Sequence, residues 1–109
     1  MFMNKETDVF NSLLKRSFYE YIPVRCSHCG FDYTHQFETH VFERPEDAKH
    51  GNHVTVNNND VKIDRDISKN PSGRRHGVSI LLSCEGCDGI TRLDIIQHKG
   101  NTLIEVHKT

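Results

Sequence analysis

All four cysteines of this 109-residue chain fall into two Cys-x-x-Cys pairs, Cys26-Ser27-His28-Cys29 and Cys84-Glu85-Gly86-Cys87. Two thiolates two residues apart grip one ion from a single tight turn, and two such turns complete a tetrahedral shell. Zinc is the ion that this spacing favours. A shell closed by four thiolates keeps no position for water or substrate, so Cys26, Cys29, Cys84 and Cys87 are expected to hold one structural Zn2+ per chain. An all-thiolate set also accommodates iron. The 54 residues between Cys29 and Cys84 are a small obstacle, because loop-closure entropy grows only with the logarithm of length. The competing uses of such pairs, redox exchange or a disulfide framework, need a thioredoxin-like βαβ setting or an oxidising compartment.

Eight histidines are the next source of chemistry. His28 lies inside the first Cys-x-x-Cys turn and is expected to point outward. His35 and His40 are an odd number of residues apart, which places them on opposite faces of a regular strand. His50 and His53 are candidates for a weak second metal site, but no third ligand is fixed near them. His76, His98 and His107 read as surface residues. Together the histidines make the net charge rise between roughly pH 7 and 5.5.

Lys69, Arg74 and Arg75 are the candidate phosphate contacts, with His76 adjoining them after the loop Asn70-Pro71-Ser72-Gly73. No aromatic side chains are interleaved with them, so a stacking platform for single strands is not indicated. Phe31, Tyr33 and Phe37 alternate along one strand and read as core. Formal net charge is −1, from 14 basic and 15 acidic residues, and four thiolates around one divalent ion make it more negative. Generic attraction to nucleic acid is therefore weak.

Enzyme signatures are poorly represented. A zinc deaminase needs Pro-Cys-x-x-Cys, and Ser83 stands where the proline would be. His50, Asn52 and His53 carry the letters of a His-Asn-His nuclease but are too crowded to separate a base, an orienting group and a metal. No phosphate-binding glycine loop and no Ser/His/Asp set is present. The expected function is a non-enzymatic zinc-binding module that works through protein–protein contacts. A nucleic-acid-binding module is the second reading, and a metal-dependent nuclease the third.

The elements that must position these residues follow from periodicity. Val9, Phe10, Leu13, Leu14 and Phe18 form an apolar stripe, predicting a helix over 5–20 within an N-terminal element at 1–22. Asn4 would cap it and Pro23 end it. Its stripe is expected to pack on the rest of the domain, or to form a homodimer face. Residues 31–42 alternate as a strand. Residues 43–77 are a polar insertion expected to project from the sheet, with a short hairpin of Val54-Thr55-Val56 and Val61-Lys62-Ile63 around the four-residue turn Asn57-Asn58-Asn59-Asp60. Val78–Ser83, Ile90–His98 and Thr102–His107 make an antiparallel meander. The whole predicts a single α+β, β-rich domain over 1–109: an N-terminal helix packed on an antiparallel sheet built around the four-cysteine zinc site, which the resemblance described next makes a zinc ribbon.

Cys26-Ser27-His28-Cys29-Gly30 and Cys84-Glu85-Gly86-Cys87-Asp88-Gly89 resemble the two knuckles of the zinc-ribbon group. Ser27 stands where such knuckles often carry proline, and the insert between them is longer than in minimal ribbons. The stretch Ile96-Gln97-His98-Lys99-Gly100-Asn101-Thr102 is similar to the tail of small uncharacterised bacterial and phage zinc-ribbon proteins. The resemblance spans about residues 25–107. It implies structural zinc and contacts with protein or nucleic acid, and it brings no activity with it.

Composition agrees with a metal clamp. Hydrophobic residues make up 35% of the chain and tryptophan is absent. Even with the seven glycines counted in, the apolar share stays below the roughly 45–50% of ordinary domains. Structural zinc adds on the order of 10 kcal/mol of apparent binding energy to the folding of small peptides. The opening Met1-Phe2-Met3-Asn4-Lys5-Glu6 reads as neither a signal segment nor a basic leader, and no run reaches membrane-spanning length. These features lead to an expectation of a cytoplasmic protein.

Overall fold

The computed structural model describes residues 22–109, and the helix expected over 5–20 lies outside the described residues. Six strands follow in chain order: β1 (Thr34–Glu43), β2 (Asn52–Asn57), β3 (Asp60–Asp64), β4 (Gly77–Cys84), β5 (Ile90–His98) and β6 (Asn101–Lys108). They form one sheet in the order β3-β2-β1-β4-β5-β6, with every neighbouring pair antiparallel. The α+β expectation is thereby corrected, because the described residues are all-β and contain no helix. From residue 34 onward the period is two and the apolar residues are mostly Val and Ile, which suit a pleated surface.

The insertion differs from its expectation as well. Its hairpin does not project. β2 pairs with β1 along Glu38–Glu43 and extends the sheet by two strands. The turn is also tighter than expected. Asn57 pairs with Asp60, leaving only Asn58 and Asn59 in the loop, with φ of 50° and 70°. Positive φ at both central positions is the type I′ geometry, whose twist matches paired strands and which asparagine tolerates better than most residues. Lys99 and Gly100, with φ of 50° and 83°, make the same kind of turn between β5 and β6.

A bulge interrupts β1. Gln36 pairs with Leu82 but Glu38 pairs with Leu81, so Phe37 is an extra residue without a partner on β4. One inserted residue reverses the alternation beyond it. His35 lies opposite Ser83 and His40 opposite Ser79, four residues apart on β4. His35 and His40 therefore share a face, contrary to the odd-spacing expectation.

The register sorts the sheet into two unlike faces. One face carries two aliphatic rows that cross all six strands. The first runs Ile63–Val54–Val41–Val78–Ile95–Ile104, and the second runs Val61–Val56–Thr39–Ile80–Leu93–Val106. At about 4.8 Å per strand these rows span roughly 24 Å. The opposite face is polar, with Glu38, His40, His53, Asp64, Ser79, Arg92, Asp94 and His107 among its residues. Phe42, 2% exposed, is the largest buried side chain there. Buried Asp94 accepts hydrogen bonds from Ser79 Oγ (2.7 Å) and Arg92 Nε (3.0 Å). His107 Nε2 lies 3.3 Å from its other oxygen. Phe31, Tyr33 and Phe37, expected in the core, are all exposed. The first two precede β1, and the bulge takes Phe37 out of the ladder.

Candidate metal centre

The two cysteine pairs occupy turns at the same end of the sheet. The first lies in the segment entering β1, and the second in the turn joining β4 to β5. In the first turn Gly30 N–H donates to the Cys26 carbonyl (2.9 Å), and Cys26 N–H donates to the Phe31 carbonyl (3.0 Å). Gly30 has φ of 79°, and a β-carbon there would meet nothing within 4 Å. The glycine is needed for its backbone conformation, not for space. The curl aims His28 N–H at Cys26 Sγ (3.3 Å). The second turn does the same with Gly86 N–H at Cys84 Sγ (3.2 Å) and Gly89 N–H at Cys87 Sγ (3.3 Å).

These turns bring all four sulfurs within 4.8 Å of one another. Cys26 Sγ lies 3.7 Å from Cys87 Sγ, and Cys29 Sγ 3.6 Å from Cys84 Sγ. A tetrahedron with zinc–sulfur bonds of about 2.3 Å has sulfur–sulfur edges of about 3.8 Å. The separations fit that shell and are far longer than a disulfide bond of about 2.05 Å. The donor set therefore suits a four-coordinate soft or borderline ion, with Cys26, Cys29, Cys84 and Cys87 supplying the ligands.

The thiols also show why a cation belongs among them. N–H donation from Cys29 is the largest influence on Cys26; burial opposes it, His28 N–H adds to it, and the thiol falls to about 6. Cys87 receives the Gly89 N–H, but burial together with the thiols of Cys29, Cys26 and Cys84 overrides that bond and pushes it up to about 12. Cys29 is likewise raised, by burial and the Cys84 and Cys26 thiols against the Phe31 N–H. Negative charge on one sulfur is supported by backbone amides, and further charge beside it is repelled. A divalent ion removes that repulsion.

The two cysteine turns are braced against each other by groups whose pairing residue spacing alone does not foretell. The His28 ring covers Gly89, where a β-carbon would come within 2.4 Å of it, and His28 Nε2–H donates to the Ile90 carbonyl (3.1 Å). Phe31 covers Gly86 in the same way, at 3.1 Å from the β-carbon position. His28 thus stays exposed and outside the sulfur cluster, as expected of a residue that is not a ligand, while its ring lies along the second cysteine turn. Thr91, 1% exposed on β5, accepts the Ser27 N–H (2.8 Å) and bonds the Ser27 hydroxyl (2.9 Å). A proline at position 27 would have no N–H to give to Thr91.

The other candidates are dispersed. Arg74 and Arg75 sit side by side but face acids. Arg74 forks onto Asp47, with Nη2 to Oδ2 at 2.8 Å, and Arg75 Nη2 lies 2.9 Å from Glu46. The Arg74 hydrogen bond, with further pull from Arg44 and Arg75, holds the Asp47 carboxyl below the ordinary carboxylate range. Lys69 lines a cleft of about 560 Å³ with Glu38, His40, Phe42 and Arg92, a cleft that neither Arg74 nor Arg75 lines. His76 Nδ1 accepts the Arg44 N–H (2.8 Å). His53 is not joined to His50: its Nδ1 meets Asp64 and its Nε2 meets His40.

No protein-family model matches the chain, and no curated protein and no solved structure matches it. No helix among the described residues is long and apolar enough to cross a membrane.

Proposed function

We propose that this protein is a small non-enzymatic module, with one structural Zn2+ held by Cys26, Cys29, Cys84 and Cys87 and a sheet face that meets a protein partner. The two Cys-x-x-Cys turns act as zinc-ribbon knuckles. They tie the segment before β1 to the β4–β5 turn, and the four-thiolate donor set leaves the ion a bracing role.

The observation that carries the contact function is the pair of aliphatic rows across the sheet. Ile63, Ile104 and Val61 in those rows are 69%, 68% and 65% exposed. A sheet gains stability when a second layer covers its apolar face, and contiguous exposed apolar surface marks interaction sites. The rows contain no charged side chain, so the partner they suit presents an aliphatic protein surface. Nucleic-acid binding through Lys69, Arg74 and Arg75 has less support, because Glu46 and Asp47 already engage two of the three cations.

The test is capture of a partner by zinc-loaded protein, compared with Ile63→Lys and Ile104→Lys variants at opposite edges of the rows. Loss of that partner with zinc content retained is the expected result. Equal capture by all three proteins contradicts the reading. Binding of random DNA or RNA that falls steeply with salt would favour the nucleic-acid alternative.

A further inference from the structure

We propose that His40 and His53 form a second metal site, for a borderline divalent ion such as Zn2+, Co2+ or Ni2+, on the polar face of the sheet. Neighbouring strands β1 and β2 place the two rings diagonally across the ladder, within reach for long side chains. His40 Nδ1 and His53 Nε2 face each other at 2.8 Å. Thr55 Oγ1 lies 3.3 Å from the first and 3.1 Å from the second, so three donor atoms converge on one point.

The outer nitrogens decide what belongs there. His40 Nε2 is 2.6 Å from Glu38, and His53 Nδ1 is 3.0 Å from Asp64. An ionised carboxylate only accepts hydrogen bonds, so each outer nitrogen carries a hydrogen. A neutral imidazole has one N–H, and both are then spent outward. With both rings neutral, the two inner nitrogens would confront each other with lone pairs. The single Thr55 hydroxyl hydrogen satisfies one of them and leaves the other facing its neighbour. A cation between the rings removes the conflict. Metal-binding histidines characteristically give their far N–H to a carboxylate, which fixes the ring and strengthens the near nitrogen as a donor.

The surroundings suit an ion with exchangeable ligands. Phe42 stacks on His53 (centroids 4.4 Å, planes 10° apart) and lies near-parallel to His40 (6.2 Å, 13°), holding both rings in orientation. The His53 and His40 side chains are 13% and 21% exposed, and His40 opens on the cleft lined by Glu38 and Lys69, which has room for water ligands. Two nitrogens on a tetrahedral zinc lie about 3.4 Å apart for bonds of 2.0–2.1 Å, so the rings, whose centroids are 5.1 Å apart with nitrogens at 2.8 Å, must separate by about half an ångström and each turn off the line between them. Imidazole donors select Zn2+, Co2+, Ni2+ and Cu2+ over Mg2+ and Ca2+.

The test is titration of the zinc-loaded protein with Co2+ at neutral pH, followed by visible absorption and by amide NMR. The expected result is one further equivalent per chain, without the near-ultraviolet charge transfer of thiolate ligation. Paramagnetic broadening should centre on residues 38–42 and 53–56 and spare 26–30 and 84–89. His53→Gln and, independently, His40→Gln should each weaken this binding at least tenfold with the cysteine-bound zinc retained. Glu38→Gln should weaken it about tenfold, as loss of a supporting carboxylate does. Absence of a second equivalent in the wild-type titration overturns the proposal, leaving a shared proton as the cation between the rings. Cobalt signals confined to the cysteine turns, or unchanged affinity in both histidine variants, overturn it equally.

Discussion

Replacing Thr91 by valine isolates the brace between the first knuckle and the sheet. The change keeps the branched shape of a side chain that is 1% exposed, so packing is nearly conserved. It removes the oxygen that accepts the Ser27 N–H at 2.8 Å and bonds the Ser27 hydroxyl at 2.9 Å. A neutral hydrogen bond contributes about 1 kcal/mol net, and a buried donor left without a partner costs about 1–3 kcal/mol. The hydroxyl of Ser27 can turn elsewhere but its N–H cannot, so the expected loss is about 2 kcal/mol. With a urea slope of about 1–3 kcal/mol per molar for a small protein, the midpoint should fall by roughly 1 M. The slope itself should stay constant, and zinc should leave faster to a chelator because Ser27 directly follows Cys26. A midpoint shift corresponding to less than about 0.5 kcal/mol, with unchanged zinc release, would refute the idea that this contact positions the knuckle.

Three further outcomes follow from the structure. Gly89→Ala should destabilise the zinc-loaded protein by about 1–3 kcal/mol, as overpacking does, because the new β-carbon meets the His28 ring at 2.4 Å; His28→Ala should relieve only part of that defect in the double variant, as read by thermal melting, because the His28 Cβ itself lies 2.8 Å from the new carbon. Acid should weaken the fold through Asp47 and Asp64, whose carboxyls are held low by the Arg74 hydrogen bond and by the Asp66 N–H respectively. Their contribution is present above the unfolded carboxylate value of about 4 and disappears as pH falls through the lower folded values; Asp47→Asn should flatten part of the urea-midpoint profile in that range. Asn59→Gly should stabilise the β2–β3 turn by up to about 1 kcal/mol, since a residue at φ of 70° suits glycine better than asparagine, and unchanged or lowered thermal stability would count against the type I′ assignment.

The metal centre was the part most open to inference from residues alone. Cysteine spacing is a local property, and the sulfur cluster follows from it once the two turns meet. The β4–β5–β6 meander was legible for the same reason, since its turns are marked by Gly86, Gly89 and Lys99-Gly100. Features that depend on what one strand does to another were not legible. The bulge at Phe37 leaves no mark in the alternation of residues 31–42, yet it moves His35 onto the face of His40. Pairing of β2 with β1, which turned an expected projection into part of the sheet, rests on the match of Val54 and Val56 to Val41 and Thr39 across a long polar loop. His40 and His53 lie thirteen residues apart and meet only through that pairing. Arg74 and Arg75 looked like free cations because Glu46 and Asp47 lie more than twenty-five residues away in sequence. The α+β expectation gave the stripe of residues 5–20 a weight in the fold class that the all-β described residues do not support.

The central claim is that one ion bound by Cys26, Cys29, Cys84 and Cys87 joins the segment before β1 to the β4–β5 turn. Elemental analysis of exhaustively dialysed protein, paired with thermal melting before and after chelation, tests it most directly. Tightly held zinc at one atom per chain, and a melting transition that collapses when the zinc is removed and returns when it is restored, is the predicted result. Protein that melts identically without any bound metal would contradict the account.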